Sequence, residues 1–483
     1  MVATLPESPS CRPVQRDRPC SRPGRGVSCL IVPFLMLALA APLYGQDGAP
    51  GGPVPVETLR TRRAALFDAI GDGVMILRSA TTRSIEGDYP QDSDYREKND
   101  FFYLTGLEAP DAWLVMDARR AERDVILWLP DRDPARERWT GARLGPGSVA
   151  TALTGIADTR SAKAAASDIR GLIGSDGAAR VLAEFAAGAA PACGGIEAPC
   201  VPAFAELGIK PSDRLEDAAP LLAALRLVKD ADEIRRLRRA IDITAEAQRA
   251  AMAFARPGVH EYEIEAVIEY TFRRNGAERV GFPSIIGSGP NSVMLHYDRS
   301  RRRTEPGDLV VIDVGAEFGY YSADVTRTIP VSGRFSERQR ALYDLVLGTQ
   351  QAALDAVRPG ITMAELNRIA RQFMERNSGD LCGPASCVRY FVHGLSHWLG
   401  MDVHDVGDYE TPLQAGMVFT IEPGVYIAEE NLGIRIEDDV LVTAMGYELL
   451  SAGAPREAAA IEGLMENRDR GRAPDAEPRT GRE

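Results

Sequence analysis

Short apolar runs alternate with alanine-rich stretches over residues 57–222. The runs GVMILRS, WLVMDA and DVILWLP are rich in β-branched and apolar residues and are bounded by polar ones, which predicts β-strands. The Ala-rich stretches between them are typical of helices. Because the two kinds of element alternate, we expect an α/β domain over this range.

A long amphipathic pattern follows. In ALRLVKDADEIRRLRRAIDITAEAQRAAMAFA (residues 224–255) apolar side chains recur at helical spacing and the opposite face is charged, which predicts one continuous helix. Arg256-Pro257-Gly258 would end it. We expect this helix to open a second domain that spans residues 223–465.

The stretch DLVVIDVGAEFGYYSADVTRTIPV (residues 308–331) consists of two halves rich in apolar and β-branched residues, which predicts a β-hairpin. A turn at Phe318-Gly319 would place Asp313 directly opposite Asp324, with Cβ atoms about 4.5–5.5 Å apart. Two partly buried carboxylates at that distance do not both ionise unless a cation lies between them. A strand aspartate that merely caps or edges the sheet would have no such partner. The register therefore favours a divalent cation.

A second hairpin repeats this arrangement. MVFTIEPGVYIA (417–428) and GIRIEDDVLVTA (433–444) flank a four-residue loop, Ala428 to Asn431, so that Glu422 faces Glu437. A solvated acidic patch is the alternative interpretation of the acidic run that begins at Glu437. The flanking Val, Ile and Leu residues favour a covered strand instead.

Three of the five histidines lie in HGLSHWLGMDVHD (393–405). A chance cluster of half-buried imidazoles is the alternative to a metal or proton-transfer site. Carboxylates with imidazole suit Mn, Fe, Co or Zn and argue against a thiolate site. Two divalent ions would balance the four acidic charges of the hairpins and lower the pKa of a water held between them.

The amino terminus has the organisation of a secretory signal. Arginines precede the apolar run LIVPFLMLALAAPL (30–43), which is short and Pro-interrupted compared with a membrane span of about 20 residues. We therefore expect residues 1–45 to be a signal peptide, with an uncleaved anchor as the alternative. Residues 46–56 read as a Gly/Pro linker, and residues 466–483 as a disordered charged tail.

Charge and cysteine content agree with export. Loss of the leader, with five arginines and two acids, changes the net charge from −13 to −16, which excludes nucleic acid and anionic membranes as partners. The remaining cysteines fall into two local pairs, Cys193/Cys200 and Cys382/Cys387. Each pair would form a disulfide in an oxidising compartment, whereas four buried thiols are the alternative.

The order of these motifs resembles the proline-specific metallopeptidases of the pita-bread fold, and most of all the Xaa-Pro aminopeptidase (aminopeptidase P) family. NDFFYLTGLEAPDAW (99–113) and RERWTGARLG (136–145) extend the resemblance to most of residues 57–465. It implies an α/β (α+β) architecture, with a creatinase-like amino-terminal α/β domain followed by a pita-bread catalytic domain. It also implies a peptide substrate with proline at the second position, and a homodimer or homotetramer.

The resemblance further implies the site residues. Two divalent ions, with Mn ahead of Zn, Co or Fe, would be bound by Asp313, Asp324, His397, Glu422 and Glu437. Asp324 and Glu437 would bridge the ions, and Glu422 would also be the general base and later proton donor.

Five other residues are implied to form the substrate-binding side of the site. His296, His393 and His404 would bind it and move protons, and Tyr426 and Arg435 would orient the acids from behind. His260 is interpreted as a surface residue.

Two alternatives remain open. Xaa-Pro dipeptidase (prolidase) shares the fold and metal centre; Ser396 favours the aminopeptidase, since dipeptidases more often have a second glycine there. A metal-free relative that only binds peptides is disfavoured because all five ligand positions are filled. One departure bears on peptide recognition: Asp298-Arg299-Ser300 follows His296-Tyr297, where the family usually has Asn two residues beyond.

Overall fold

The computed structural model describes residues 51–82, 95–120, 122–173, 180–185, 207, 215–384 and 386–470. The predicted signal peptide (1–45), residues 46–50 of the predicted linker, the Cys193/Cys200 pair and residues 471–483 lie outside the described residues. Within the described ranges no helix is long and apolar enough to cross a membrane.

The amino-terminal half is built on one sheet of six strands. These are β1 (Val74–Arg78), β2 (Trp113–Asp117), β3 (Asp124–Leu129), β4 (Asp158–Ser161), β5 (Val181–Ala183) and β6 (Leu215–Asp217). Their order is β4-β3-β2-β1-β5-β6. Strands β1 to β3 pair antiparallel, and β4, β5 and β6 join in parallel. The three apolar runs predicted as strands are β1, β2 and β3, which confirms that prediction.

Helices cover both faces of this sheet. They are α1 (Val56–Ile70), α2 (Asn99–Thr105), α3 (Pro134–Thr140), α4 (Ser148–Thr154) and α5 (Ala165–Ile173). Alternate residues of β1 enter different cores: Met75 and Leu77 belong to the apolar cluster that includes residues of α1, and Val74 and Ile76 to one that includes Ile169 of α5.

The helix predicted over residues 224–255 is two helices, α6 (Ala219–Leu227) and α7 (Ala231–Phe254). The break has a local cause. The Asp230 side chain accepts hydrogen bonds from the amides of Asp232 and Glu233, and Glu233 returns one to the Asp230 amide, which is a capping box. The prediction of a continuous helix was therefore wrong, although its end before Arg256 was right, and the predicted domain boundary at 222/223 falls inside α6.

The carboxy-terminal half packs helices around small sheets of two or three strands. Its further helices are α8 (Glu261–Arg274), α9 (Glu337–Leu354), α10 (Met363–Asn377) and α11 (Ala458–Arg470). Its strands are β7 (Arg279–Val280), β8 (Ile285–Ser288), β9 (Leu309–Val314), β10 (Ala316–Phe318), β11 (Tyr321–Ser322), β12 (Val325–Pro330), β13 (Val418–Ile421), β14 (Gly424–Ile427), β15 (Leu432–Arg435), β16 (Asp438–Thr443) and β17 (Gly446–Leu449). They form sheets in the orders β12-β9-β8, β11-β10-β7, β13-β16-β17 and β14-β15.

The first hairpin turns one residue later than predicted. Gly319 and Tyr320 form the turn, with φ of +57° and +74°, as a two-residue hairpin with positive φ at both positions requires. Asp313 consequently faces Thr326, and the predicted direct pairing with Asp324 was wrong. Long-range packing holds Tyr320 in this conformation, because its ring stacks on Phe102 at 3.8 Å between centroids.

The second hairpin has the predicted register. Ile427 pairs with Leu432 around the four-residue loop, and Ile421 pairs with Asp438 further along, so Glu422 and Glu437 lie opposite each other between the two paired stretches. The acidic run that begins at Glu437 is buried. The alternative of a solvated patch was therefore wrong.

A pair of glutamines fixes both hairpins from behind. Gln248 of α7 donates its amide hydrogens to the carbonyls of Ile312 and Val325, and Gln350 of α9 donates to those of Ile421 and Ile436. Each of these four carbonyls belongs to a residue next to one of the four acidic hairpin positions. The two helices thus set the spacing of the strands at the point where the carboxylates emerge.

Two details complete the fold. The Cys382–Cys387 disulfide is present, with Cα atoms 5.1 Å apart. Helix α11 continues to Arg470, so residues 466–470 of the predicted disordered tail are helical.

The buried ion pair of Arg327 and Asp438 yields a test of stability. Both side chains are fully buried, 2.6 Å apart, and the remaining guanidinium hydrogens are bound by carbonyls that include those of Glu437 and Pro455. We expect Asp438→Asn to lower the free energy of unfolding by about 3–5 kcal/mol, since it leaves a buried arginine without its counter-charge. Asp344→Asn, at an exposed i,i+4 pair with Arg340, should change it by less than about 1 kcal/mol. Equal midpoints of denaturant unfolding for the two variants would contradict this.

Candidate metal centre

Four carboxylates and one imidazole meet at a single cavity of about 500 Å³. Asp313 comes from β9, Asp324 immediately precedes β12, and Glu422 and Glu437 face each other across the second hairpin. His397 enters from the segment before β13. All except Glu422 are less than a tenth exposed. The structure therefore places all five predicted ligands at one site.

The distances within this group suit shared coordination. His397 Nε2 lies 3.3 Å from Asp324 Oδ2, 3.5 Å from Glu422 Oε1 and 3.8 Å from Glu437 Oε1. Ligand atoms of Asp324, His397 and Glu437 all lie within 4.8 Å of one another. Although Asp313 and Asp324 are not directly paired, the charge of Asp313 is second only to burial among the causes that raise the pKa of Asp324.

Unpaired oxygens show what the site requires. Asp313 Oδ1, Asp324 Oδ1 and Glu437 Oε1 are buried and have no hydrogen-bond partner among the described residues. Burial, followed by the charges of the neighbouring acids, raises the pKa of Asp324 and Glu437 far above the ordinary carboxyl range. A divalent cation bound by oxygen and imidazole would satisfy the unpaired oxygens and compensate the charge.

Hydrogen bonds behind the ligands orient them. His397 Nδ1 lies 3.1 Å from the Trp398 carbonyl, which can only accept, so Nδ1 carries the proton and Nε2 is left for the metal. The Thr326 hydroxyl donates to Glu437 Oε2 at 2.6 Å. The Asp324 amide donates to Asp439, an acid that sequence reasoning did not single out.

A chain of donors links Asp313 to His393. Arg435 donates to Asp313 Oδ2 at 2.5 Å and to the Tyr426 hydroxyl at 2.9 Å. His393 Nδ1 lies 2.7 Å from the Gly394 carbonyl and must donate to it, so Nε2, 2.9 Å from the Tyr426 oxygen, accepts the phenolic hydrogen. Burial, and then the charge of Arg435, lowers the pKa of His393 to about 4, so this imidazole is neutral at physiological pH.

The other two predicted histidines line the same cavity. The rings of His404 and His397 are 4.2 Å apart, and burial followed by the charges of His397 and His296 lowers the pKa of His404. His404 and His296 are exposed toward the cavity and hydrogen-bond to no described residue. His260 caps the start of α8, partly exposed and away from the cavity.

Sequence reasoning missed the apolar wall of the cavity. It is formed by Phe282, Pro283, Ile285, Leu295 and Val403. These residues come from three separate segments, so no local periodicity connects them. Phe282-Pro283, which interrupt the chain just before β8, are the strongest local signal.

A buried charge cluster, which sequence reasoning also missed, supports the histidine-rich segment 393–405. Asp405, next to His404, accepts from Arg226 at 2.5 Å and from Lys229 at 2.8 Å. Arg226 also donates to Asp100 of α2, at 2.8 Å. The position of His404 is therefore tied both to the α6–α7 break and to the amino-terminal half.

Two family profiles match the chain: metallopeptidase family M24 over residues 235–444 and the aminopeptidase P amino-terminal domain over residues 59–181. Xaa-Pro aminopeptidase of Haemophilus influenzae is 34% identical over 437 residues, 85% of this chain and 98% of the relative. The structure of aminopeptidase P from Escherichia coli with the inhibitor Pro-Leu matches with a TM-score of 0.76 at 32% identity, over 87% of this chain and 100% of that one. Xaa-Pro dipeptidase of Pyrococcus furiosus is 40% identical over 248 residues, 50% of this chain and 67% of the relative.

Fold and site thus define a metallopeptidase with two differently built halves, as predicted. The chain belongs to the Xaa-Pro aminopeptidases of metallopeptidase family M24. It is accordingly a metalloaminopeptidase, which acts on peptides, and the metal-free binding module is no longer a competing interpretation.

Burial of the carboxylates makes the metal-free protein sensitive to pH. Because burial raises the folded-state pKa of Asp324 and Glu437, and of Glu422 to about 7, the folded state holds more protons than the unfolded one above about pH 4. The free energy of unfolding should therefore fall as pH rises from 5 to 8. We expect the Tm of chelator-treated protein to fall, relative to Mn²⁺-loaded protein, over this interval in a thermal shift assay. A difference that shrinks toward pH 8 would contradict the burial of ionisable ligands.

The variant Asp324→Asn should weaken metal binding without destabilising the metal-free fold. The amide replaces a charge with almost no change of volume and mimics the protonated acid, so the metal-free variant should unfold at or above the Tm of the metal-free wild type at pH 8. Metal content should fall, and peptide hydrolysis should decrease by more than about 100-fold. Atomic absorption and a peptide assay measure both, with Asp344→Asn as the matched surface control. Retained turnover would remove Asp324 from the ligand set.

Proposed function

We propose that this protein removes the amino-terminal residue from peptides with proline at the second position, with two divalent ions bound by Asp313, Asp324, His397, Glu422 and Glu437. The observation that carries the proposal is the set of unpaired buried oxygens beside an apolar wall. The oxygens suit cations, and the wall suits a pyrrolidine ring, which offers no N–H to bind. Four carboxylates balance two divalent ions, and Mn²⁺ is favoured for an oxygen-rich set.

When bound, the ions would activate water and polarise the scissile carbonyl. The chain's own groups would manage protons and orientation. Glu422 would take the proton of the attacking water and pass it to the leaving proline nitrogen. Arg435 donates to Asp313 Oδ2 and holds this side chain in place.

We assign different tasks to the three histidines at the cavity. His404, which hydrogen-bonds to no described residue, would donate to the oxyanion. His393 has both nitrogens engaged in the structure, so its first role would be to position the Tyr426 hydroxyl. His296, which also lines the cavity, would bind the carbonyl of proline.

The shape of the cavity favours an aminopeptidase over a dipeptidase. A second cavity of about 750 Å³ adjoins the first and shares His296 and Asp298 with it. Peptide beyond the proline would therefore have room, which a strict dipeptidase does not need. The similarity to Xaa-Pro aminopeptidase over 85% of the chain, against 50% for the dipeptidase, supports the same choice.

We further propose that the protein is exported through residues 1–45 and acts as a homodimer or homotetramer without binding nucleic acid. The Cys382–Cys387 disulfide supports an oxidising compartment, and the net charge of −13 disfavours a nucleic-acid partner.

A small peptide panel tests the activity. Mn²⁺-loaded protein should release alanine from Ala-Pro-Ala at least about 100-fold faster than from Ala-Ala-Ala, because only the proline ring can pack against the apolar wall. Ala-Pro should be cleaved more slowly than Ala-Pro-Ala, since it leaves the second cavity empty. Amino-acid release is quantified by chromatography. Cleavage confined to Ala-Pro would establish the dipeptidase instead, and equal rates on all three peptides would remove proline specificity.

A further inference from the structure

The second cavity has a basic lining in an acidic protein. Residues 299–303 read RSRRR, whereas the chain as a whole carries a net charge of −13. Arg299, Arg301 and Arg302 all line this cavity, and it opens from the metal-binding cavity at His296.

Two of these arginines have no acidic partner among the described residues. Arg302 lies 2.5 Å from Asp308 and 3.4 Å from Glu305. Arg299 and Arg301 have no described acidic side chain within 4.0 Å of their guanidinium groups. Asp298 is the one acidic residue among the described residues that line the cavity, so two free cations face one anion there.

The loop that carries them is held against the body of the protein. The fully buried Glu261 accepts from the Tyr297 hydroxyl and from the Arg302 amide, both at 2.8 Å. The Ser300 carbonyl accepts from the Tyr262 amide at 2.9 Å, and Ser300 is buried with a φ of +46°. Because Ser300 is held inward, its neighbours Arg299 and Arg301 are both exposed. Their backbone positions are therefore fixed before any ligand arrives.

We propose that Arg299 and Arg301 form a carboxylate-binding subsite for the part of the peptide that follows proline. The proposal rests on the proposed function, because a peptide whose proline carbonyl reaches His296 continues into the second cavity. The carboxylate is either the side chain of an acidic third residue or the free carboxy terminus of a tripeptide. Guanidinium groups bind both in the same way, through paired N–H donors.

Three tripeptides distinguish the sources: Ala-Pro-Gln-amide, Ala-Pro-Glu-amide and Ala-Pro-Gln with a free carboxy terminus. For Mn²⁺-loaded wild type at low salt, at least one carboxylate peptide should have a kcat/KM about fivefold above that of the neutral amide, as two partly exposed ion pairs would give. The gain should shrink in 0.5 M NaCl. Which peptide gains identifies the source of the carboxylate.

The double variant Arg299→Gln/Arg301→Gln should reduce this ratio to about one. Arg303→Gln is the matched control, because Arg303 donates to the Gly258 carbonyl and does not line the cavity; it should keep the wild-type ratio. Circular dichroism melting checks that both variants fold. The ratio is internal to each variant, so a general loss of activity does not imitate the expected result.

Two results would overturn the subsite. Either the wild type hydrolyses all three peptides with equal kcat/KM, or the preference for a carboxylate survives in the double variant. Failure of the proposed function would look different, since the Mn²⁺-loaded wild type would then cleave none of the three, including the neutral amide.

Discussion

The structure depends on holding four largely buried carboxylates together at one cavity. Left alone, such a group minimises its energy by taking up protons or by moving apart. In this protein the strands prevent separation, and burial raises the pKa of Asp324, Glu422 and Glu437. Only a compact positive charge relieves both constraints at once. The metal is thus the counter-charge for which the surrounding fold is arranged, as well as a reagent.

The fold meets this constraint twice with the same device. Each hairpin supplies two acids, and a buried glutamine from the helix behind it binds the backbone carbonyls beside them. Two arginines compensate part of the remaining negative charge. Arg435 pairs with Asp313, which lines the cavity, and Arg327 pairs with Asp438, which does not. Of the predicted ligands, Asp313 lies in β9, and the other three acids lie directly beside strand ends. The paired strands of the two hairpins therefore set the positions of these acids.

Much of this could be predicted from sequence where the information is local. Short continuous apolar runs identified β1 to β3, and a four-residue loop gave the register of the second hairpin, in which Glu422 and Glu437 face each other. The first hairpin could not be placed correctly, because Tyr320 occupies its unusual backbone conformation through a ring contact with Phe102, far away in the chain. Asp313 and Asp324 were still assigned to one site, since residues two positions out of register remain neighbours across a hairpin.

Other features could not be predicted, either because tertiary contacts create them or because a stronger sequence pattern obscured the local signal. The capping box at Asp230 is visible in the sequence, but the amphipathic pattern runs through it and favoured one helix. The apolar wall draws on residues from three segments, and the partners of Asp405 lie about 180 positions before it. Folding alone brings such groups together.

The link from Asp100 through Arg226 to Asp405 also limits how freely the two halves can be recombined. A catalytic half joined to a foreign amino-terminal partner would contain Arg226 without its Asp100 acceptor. Arg226 also donates to Asp405, which directly follows His404 of the cavity. The halves are separate in architecture but not interchangeable as modules. A recombined protein that preserves activity has to keep the ion pairs of Asp100, Arg226 and Asp405 between its two halves.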